Sequence, residues 1–233
     1  MRPSAKPTSG WTPAHLAKRG AVMPGAWPKR NIDPGKAGPT LRPVPFKRLT
    51  LCGLLLLAVS ARGESLIADY SNWKYLEGKA EASDPPTAWR ELAFDDAHWR
   101  EGHSGFSIGY GRYDAPTQLW GMPRVYPSLF LRKKFTLDDT DWIQSLVMRV
   151  DYDDGFVAYL NGARVAAANA PGGQLHVNSM ATAGREAGTA DRFDLSAHVD
   201  LLRKGDNVLA IAGLNSGRGS SDMSLKAELG FLP

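Results

Sequence analysis

Three acidic residues, Asp151, Asp153 and Asp154, stand together just before Gly155. Closely spaced carboxylates in a turn are the hard oxygen donors that calcium prefers, so they are the chain's candidate ligands for a structural calcium ion. The twelfth position counted from Asp151 is Gly162, where an EF-hand would carry a bidentate glutamate. The plainer reading of Asp154-Gly155 is a hairpin turn, with Asp153 bonding backbone amides. A second cluster, His98-Trp99-Arg100-Glu101-Gly102-His103, pairs two histidines with a glutamate. Its spacing is neither H-E-x-x-H nor H-x-x-E-H, and Gly102 denies it a helical face, so zinc chemistry is not expected. Nothing is read as a nucleophile elbow or a phosphate loop. Acidic pairs abound, but no spacing sets two of them across a sugar at the separation glycoside hydrolysis requires. The catalytic assignment is therefore none.

Aromatic residues make the stronger case for recognition. Sugars offer apolar C–H faces that stack on Trp and Tyr, while their hydroxyls need planar polar partners. The segment Gly102 to Pro127 holds Phe106, Tyr110, Arg112, Tyr113, Asp114, Trp120 and Tyr126 among five glycines and three prolines. A long loop of this aromatic density reads as functional rather than disordered. Arg112, Tyr113 and Trp120 are the expected binding edge, joined by Asn215 and Arg218 from the polar run Asn215 to Ser221. Trp73, Trp89, Trp99 and Trp142 are expected to be core plugs. The exposure of Trp120 discriminates: solvent-facing, it favours binding, and buried, it makes the loop a lid.

These side chains must be carried by strands. Leu129, Leu131, Phe135 and Leu137 alternate with Arg132, Lys134 and Thr136, with Lys133 interrupting the apolar face, and Leu146, Met148, Val150 and Tyr152 alternate with Val147, Arg149 and Asp151; a period of two predicts strands with one face in a core. Val208 to Ala212 is apolar on both faces, as a central strand would be, whereas Leu225, Ala227 and Leu229 describe a half-exposed one. Asn161-Gly162 predicts a tight hairpin after Val157 to Leu160. Helical signals are limited to a turn or two at Ser196 to Leu202, capped by Ser196, and a short turn at Asp95 to Trp99. The expected fold class is all-β.

Ahead of these strands the composition changes. Residues 1–46 are rich in Pro, Gly, Lys and Arg with no apolar period, which predicts a disordered basic leader. Residues 47–63 follow the charged, apolar and small-residue succession of a signal peptide. A leader that long places the chain's start upstream of the true one, at Met23 or a non-Met codon; the alternative is a basic extension before a signal anchor. The single cysteine, Cys52, lies within the apolar run and leaves with it. From Arg62 onward 18 Lys and Arg face 23 Asp and Glu, a net charge of −5 where the whole chain carries +4. That acidic balance argues against a nucleic-acid partner. The mature chain is expected to be exported to the periplasm, cell surface or medium, without a membrane span, its residues 66–233 forming one domain.

Several segments together resemble the galactose-binding-like jelly roll, a β-sandwich module of secreted bacterial proteins that is similar to the sugar-binding domain of family-two glycoside hydrolases. They are Thr87-Ala88-Trp89-Arg90 with Phe94 to Trp99 and Gly102; Gly109-Tyr110-Gly111; Tyr152-Asp153-Asp154-Gly155 with Tyr159-Leu160-Asn161-Gly162; and Leu202 to Ala210. The resemblance spans nearly all of residues 70–232. It implies a jelly-roll antiparallel β-sandwich, non-catalytic, that binds carbohydrate or packs against a surface or hydrolase partner protein, with a structural calcium in some members. The expected function is an exported carbohydrate-binding module. The alternatives are an adhesive protein-docking module and, last, an accessory or autonomous hydrolase.

Overall fold

Strands account for most of the regular structure in residues 65–109 and 115–231, which are those the computed structural model describes. The leader, the signal segment with Cys52, and Arg112 and Tyr113 lie outside the described residues. The first six strands are β1 (Ser65–Ile67), β2 (Asn72–Glu77), β3 (Arg100–His103), β4 (Phe106–Ile108), β5 (Thr117–Gln118) and β6 (Ser128–Leu137). They are followed by β7 (Val147–Asp153), β8 (Gly155–Leu160), β9 (Ala163–Ala168), β10 (Asp191–Asp194), β11 (Gly205–Leu214) and β12 (Met223–Gly230). One sheet runs β10-β7-β12-β4-β5 with β1 added on β12; the other runs β3-β2-β6-β11-β8-β9. All strand pairs are antiparallel except β4 with β5. The fold is a two-sheet β-sandwich, as the alternating patterns predicted.

Alternation decides which side chains fill the space between the layers. Leu129, Leu131, Phe135 and Leu137 of β6 meet Met148, Val150 and Tyr152 of β7 and Leu225, Ala227 and Leu229 of β12. Large side chains taken fully out of water contribute roughly 1.5–3 kcal/mol each, and this layer carries most of them. The second sheet is buried on its other face too, where Phe130, Val157, Tyr159, Ala210 and Ala212 pack under Trp89 and Trp99. Trp89 lies edge-on to Phe130 at 5.1 Å and to Tyr159 at 5.6 Å. Such doubly covered strands explain why Val208 to Ala212 has no polar face. The outer face of the first sheet stays polar, carrying Arg149, Asp151 and Asp153 from β7 opposite Glu228, Lys226 and Ser224 from β12.

The covering segment is fastened by a buried charge. Arg132 Nε donates to Asp96 Oδ2 at 2.8 Å, and its Nη1 donates to the carbonyls of Trp89 and of Glu91, the latter at 3.0 Å. One planar guanidinium thereby satisfies carbonyls of a turn-rich stretch that has no ladder of its own.

Four expectations are corrected. Asp154-Gly155 is not a hairpin, because β7 belongs to one sheet and β8 to the other, and Asp154 is the crossover between them. Gly155 is needed there for close approach: a Cβ would fall 2.5 Å from the Asn169 carbonyl oxygen. Asn161-Gly162 does form the predicted hairpin between β8 and β9, with positive φ at both residues. Trp142 is not a core plug; it is 51% exposed, lying edge-on to Phe231 at 4.8 Å, since its turn runs outside the sandwich. The segment Gly102 to Pro127 is not a structureless loop, for it supplies β4 and β5 and buries Phe106 and Tyr126. Ser196 begins a 3-10 turn, Ser196–Leu201, but it is Asp194 Oδ1 that accepts the Ser196 amide, at 2.9 Å. No helix among the described residues is long and apolar enough to cross a membrane.

Candidate functional site

The loop edge predicted to bind is held by buried anchors on either side of Trp120. Leu119 and Met122 are buried, the Met122 amide donates to the Leu119 carbonyl at 2.9 Å, and the tight turn turns the intervening Trp120 outward. Trp120 is 62% exposed, with Val125 and Met180 also well exposed. Arg218 belongs to the same edge: its carbonyl accepts the Arg124 amide at 2.8 Å, and its Nη2 donates to Asn178 Oδ1 at 2.6 Å. Three loops, around residues 120–125, 178–181 and 215–220, are thus tied together. Asn215 is placed differently from the expectation of a contact residue. It is 3% exposed, its Nδ2 donates to the Asp222 carbonyl at 2.7 Å, and its backbone bonds to Pro127 and Ala181, so it positions the loops from beneath.

The acidic residues divide by role. Asp154 is buried and uses both carboxylate oxygens on backbone amides, accepting from Arg185 at 3.1 Å and from Ser216 at 2.6 Å. Asp151 accepts the Gly188 amide at 2.8 Å and lies 3.6 Å from the Arg185 guanidinium. Both serve as loop anchors. Asp153, buried on the outer face of the first sheet, instead gathers with Glu186 and Asp222, with a carboxylate oxygen of each within 4.8 Å of the others. Glu186 and Asp222 were not singled out from the sequence; Asp222 directly follows the polar run that was, and Glu186 carries no local signal. The buried Asn215 Oδ1 has no hydrogen-bond partner among the described residues. Carboxylate oxygens are hard donors, so Asp153, Glu186 and Asp222 could hold a metal ion.

Gly105-Phe106-Ser107-Ile108-Gly109 spells G-x-S-x-G, yet Ser107 sits inside β4 rather than on a strand-to-helix turn, and its Oγ bonds to no base among the described residues. A serine without a base is not an activated nucleophile.

No family model matches the chain, and no curated protein matches it. Solved structures similar to it include a β-glycosidase from Bacteroides vulgatus, at 16% identity over 72% of this chain and 20% of that one, TM-score 0.43. A Bacteroides uniformis β-glucuronidase matches at 19% identity over 73% of this chain and 18% of its own length, TM-score 0.46. A β-glucuronidase from an uncultured Clostridium species matches at 13% over 76% of this chain and 30% of its own, TM-score 0.44. The chain spans a minor part of each, and nothing of their activity carries over at this level of likeness.

Proposed function

We propose that the chain is an exported, non-catalytic carbohydrate-binding module of galactose-binding-like type. Its three-loop edge offers Trp120 as a stacking platform and Arg218 as a polar partner, and Asp153, Glu186 and Asp222 hold a structural calcium. The observation that carries this reading is the outward, solvent-facing Trp120 on a rigidly anchored turn. A largely exposed indole is the kind of flat apolar surface that the C–H face of a pyranose stacks against. Arg112 and Tyr113 are assigned to the same edge from the sequence. The calcium would neutralise three neighbouring carboxylates and so fix the long loop through Glu186 against the sheet. A glycan array followed by calorimetry on wild type and Trp120→Ala tests the proposal. Binding to at least one polysaccharide is expected, weakened about tenfold or more by the substitution; no binding to any glycan tried overturns it.

A second reading draws on the same edge. Trp120, Val125 and Met180 together expose apolar surface of the kind that docks partner proteins. Capture of a partner protein with no glycan bound would favour that reading.

A further inference from the structure

We propose a second saccharide site in a cleft of about 290 Å³ on the outer face of the first sheet, with Ser107 as its hydroxyl-reading residue. The sequence makes the cleft by contrast in side-chain size. Ser104, Gly105, Ser107 and Ser224 form a low floor, and Tyr70, Pro116 and Lys226 stand around it. Ser107 and Ser224 lie directly opposite each other across β4 and β12. Ser107 is only 3% exposed, lines the cleft, and its Oγ has no hydrogen-bond partner among the described residues. A buried hydroxyl left unpaired is costly, and a ligand hydroxyl in the cleft would satisfy it.

The charges of the cleft narrow the ligand class. Lys226 is paired with Asp69 at 2.8 Å, and Asp151 is occupied by the Gly188 amide and Arg185. With these ions already compensated, the cleft holds no spare cation among the described residues for a carboxylate or phosphate, and its polar floor does not suit an apolar ligand. A neutral polyhydroxyl ring remains. Tyr70 is the proposed stacking wall: it lines the cleft, its ring lies on that of His103 at 4.6 Å and 9° between planes, and the residue is 60% exposed, so the ring is braced yet accessible. Trp120 is not among the described residues that line this cleft. The site therefore rests on the proposed reading only for its ligand class.

The test is an amide NMR titration of the full chain with methyl β-galactoside, methyl β-glucoside and methyl β-glucuronide. Either neutral glycoside is expected to shift the amides of Ser104, Ser107, Ser224 and Lys226, in wild type and in Trp120→Ala alike. The glucuronide is expected to bind more weakly. Ser107→Ala should weaken the neutral glycoside about fivefold to tenfold while leaving Tm unchanged or raised, because it removes an unpaired hydroxyl. Tyr70→Ala, at an exposed ring, should weaken it with the fold intact. Shifts confined to the Trp120 loop overturn the cleft and leave the loop reading standing; no shifts with either neutral glycoside, equal binding of the glucuronide, or unchanged affinity in Ser107→Ala each overturn the cleft as well.

Discussion

Asp154 and Ser216 are joined by a 2.6 Å hydrogen bond from the Ser216 amide to the carboxylate that also accepts the Arg185 amide. The residue that carries the chain from one sheet to the other therefore also holds two loops beside the candidate edge.

Asp154→Asn keeps the shape but can accept through only one oxygen and without charge. It should cost about 2 kcal/mol and lower Tm by roughly 4–8 °C. Calorimetry of the two proteins decides this, and an unchanged Tm would show that the carboxylate does not fasten the loops.

Arg132 is fully buried and bonded to Asp96 and to carbonyls of the covering segment. Arg132→Lys removes the fork and leaves those acceptors unpaired, so it should destabilise by about 3–5 kcal/mol. Urea unfolding gives the measurement. A lysine variant as stable as wild type would mean that charge alone, not the planar fork, is required.

Glu77 supplies an acid-sensitive contact. Burial opposes its ionisation, but the Lys79 ammonium bonded to it, the neighbouring Tyr126 hydroxyl and the charges of Lys79 and Arg100 outweigh that and hold its carboxyl below the ordinary 4.5. The folded protein thus takes up this proton less readily than the unfolded chain. The stabilisation is complete above that ordinary value and is lost as pH falls through the lower folded one. Between about pH 5 and 3, Tm of wild type should fall more steeply than that of Glu77→Gln. Parallel curves would remove Glu77 from the acid response.

Calcium should stabilise the wild type. At a hundredfold excess over its dissociation constant, a ligand of the folded state alone adds about 2.7 kcal/mol. Tm is expected to rise on adding calcium after chelation in wild type and to stay flat in Asp153→Asn/Glu186→Gln. Equal Tm for wild type with and without calcium would take the ion out of the proposed function.

The strands were legible where side chains obey a local period. Leu129 to Leu137, Val150 and its neighbours, and the doubly buried Val208 to Ala212 all show their environment in their own spacing. Trp73, Trp89 and Trp99 are buried as expected. The fate of Asp154-Gly155 was not legible, because turn chemistry reports that the chain bends but not which sheet receives it. The close approach of the Asn169 carbonyl to Gly155 is a tertiary fact without a sequence signature. The acidic group was half legible for a similar reason: Asp153 stands in a visible cluster, whereas Glu186 and Asp222 come to it from distant loops. Asn215 looked like a contact residue by its polar company, and only packing turned it inward.

The one-residue passage at Asp154 also bears on how the molecule resists force. β7 is zipped between β10 and β12 in one layer, and β8 between β9 and β11 in the other. Tension applied along this stretch loads both hydrogen-bonded ladders at once, in shear, with no slack loop to absorb extension. The stitch makes rupture of either layer a shared event.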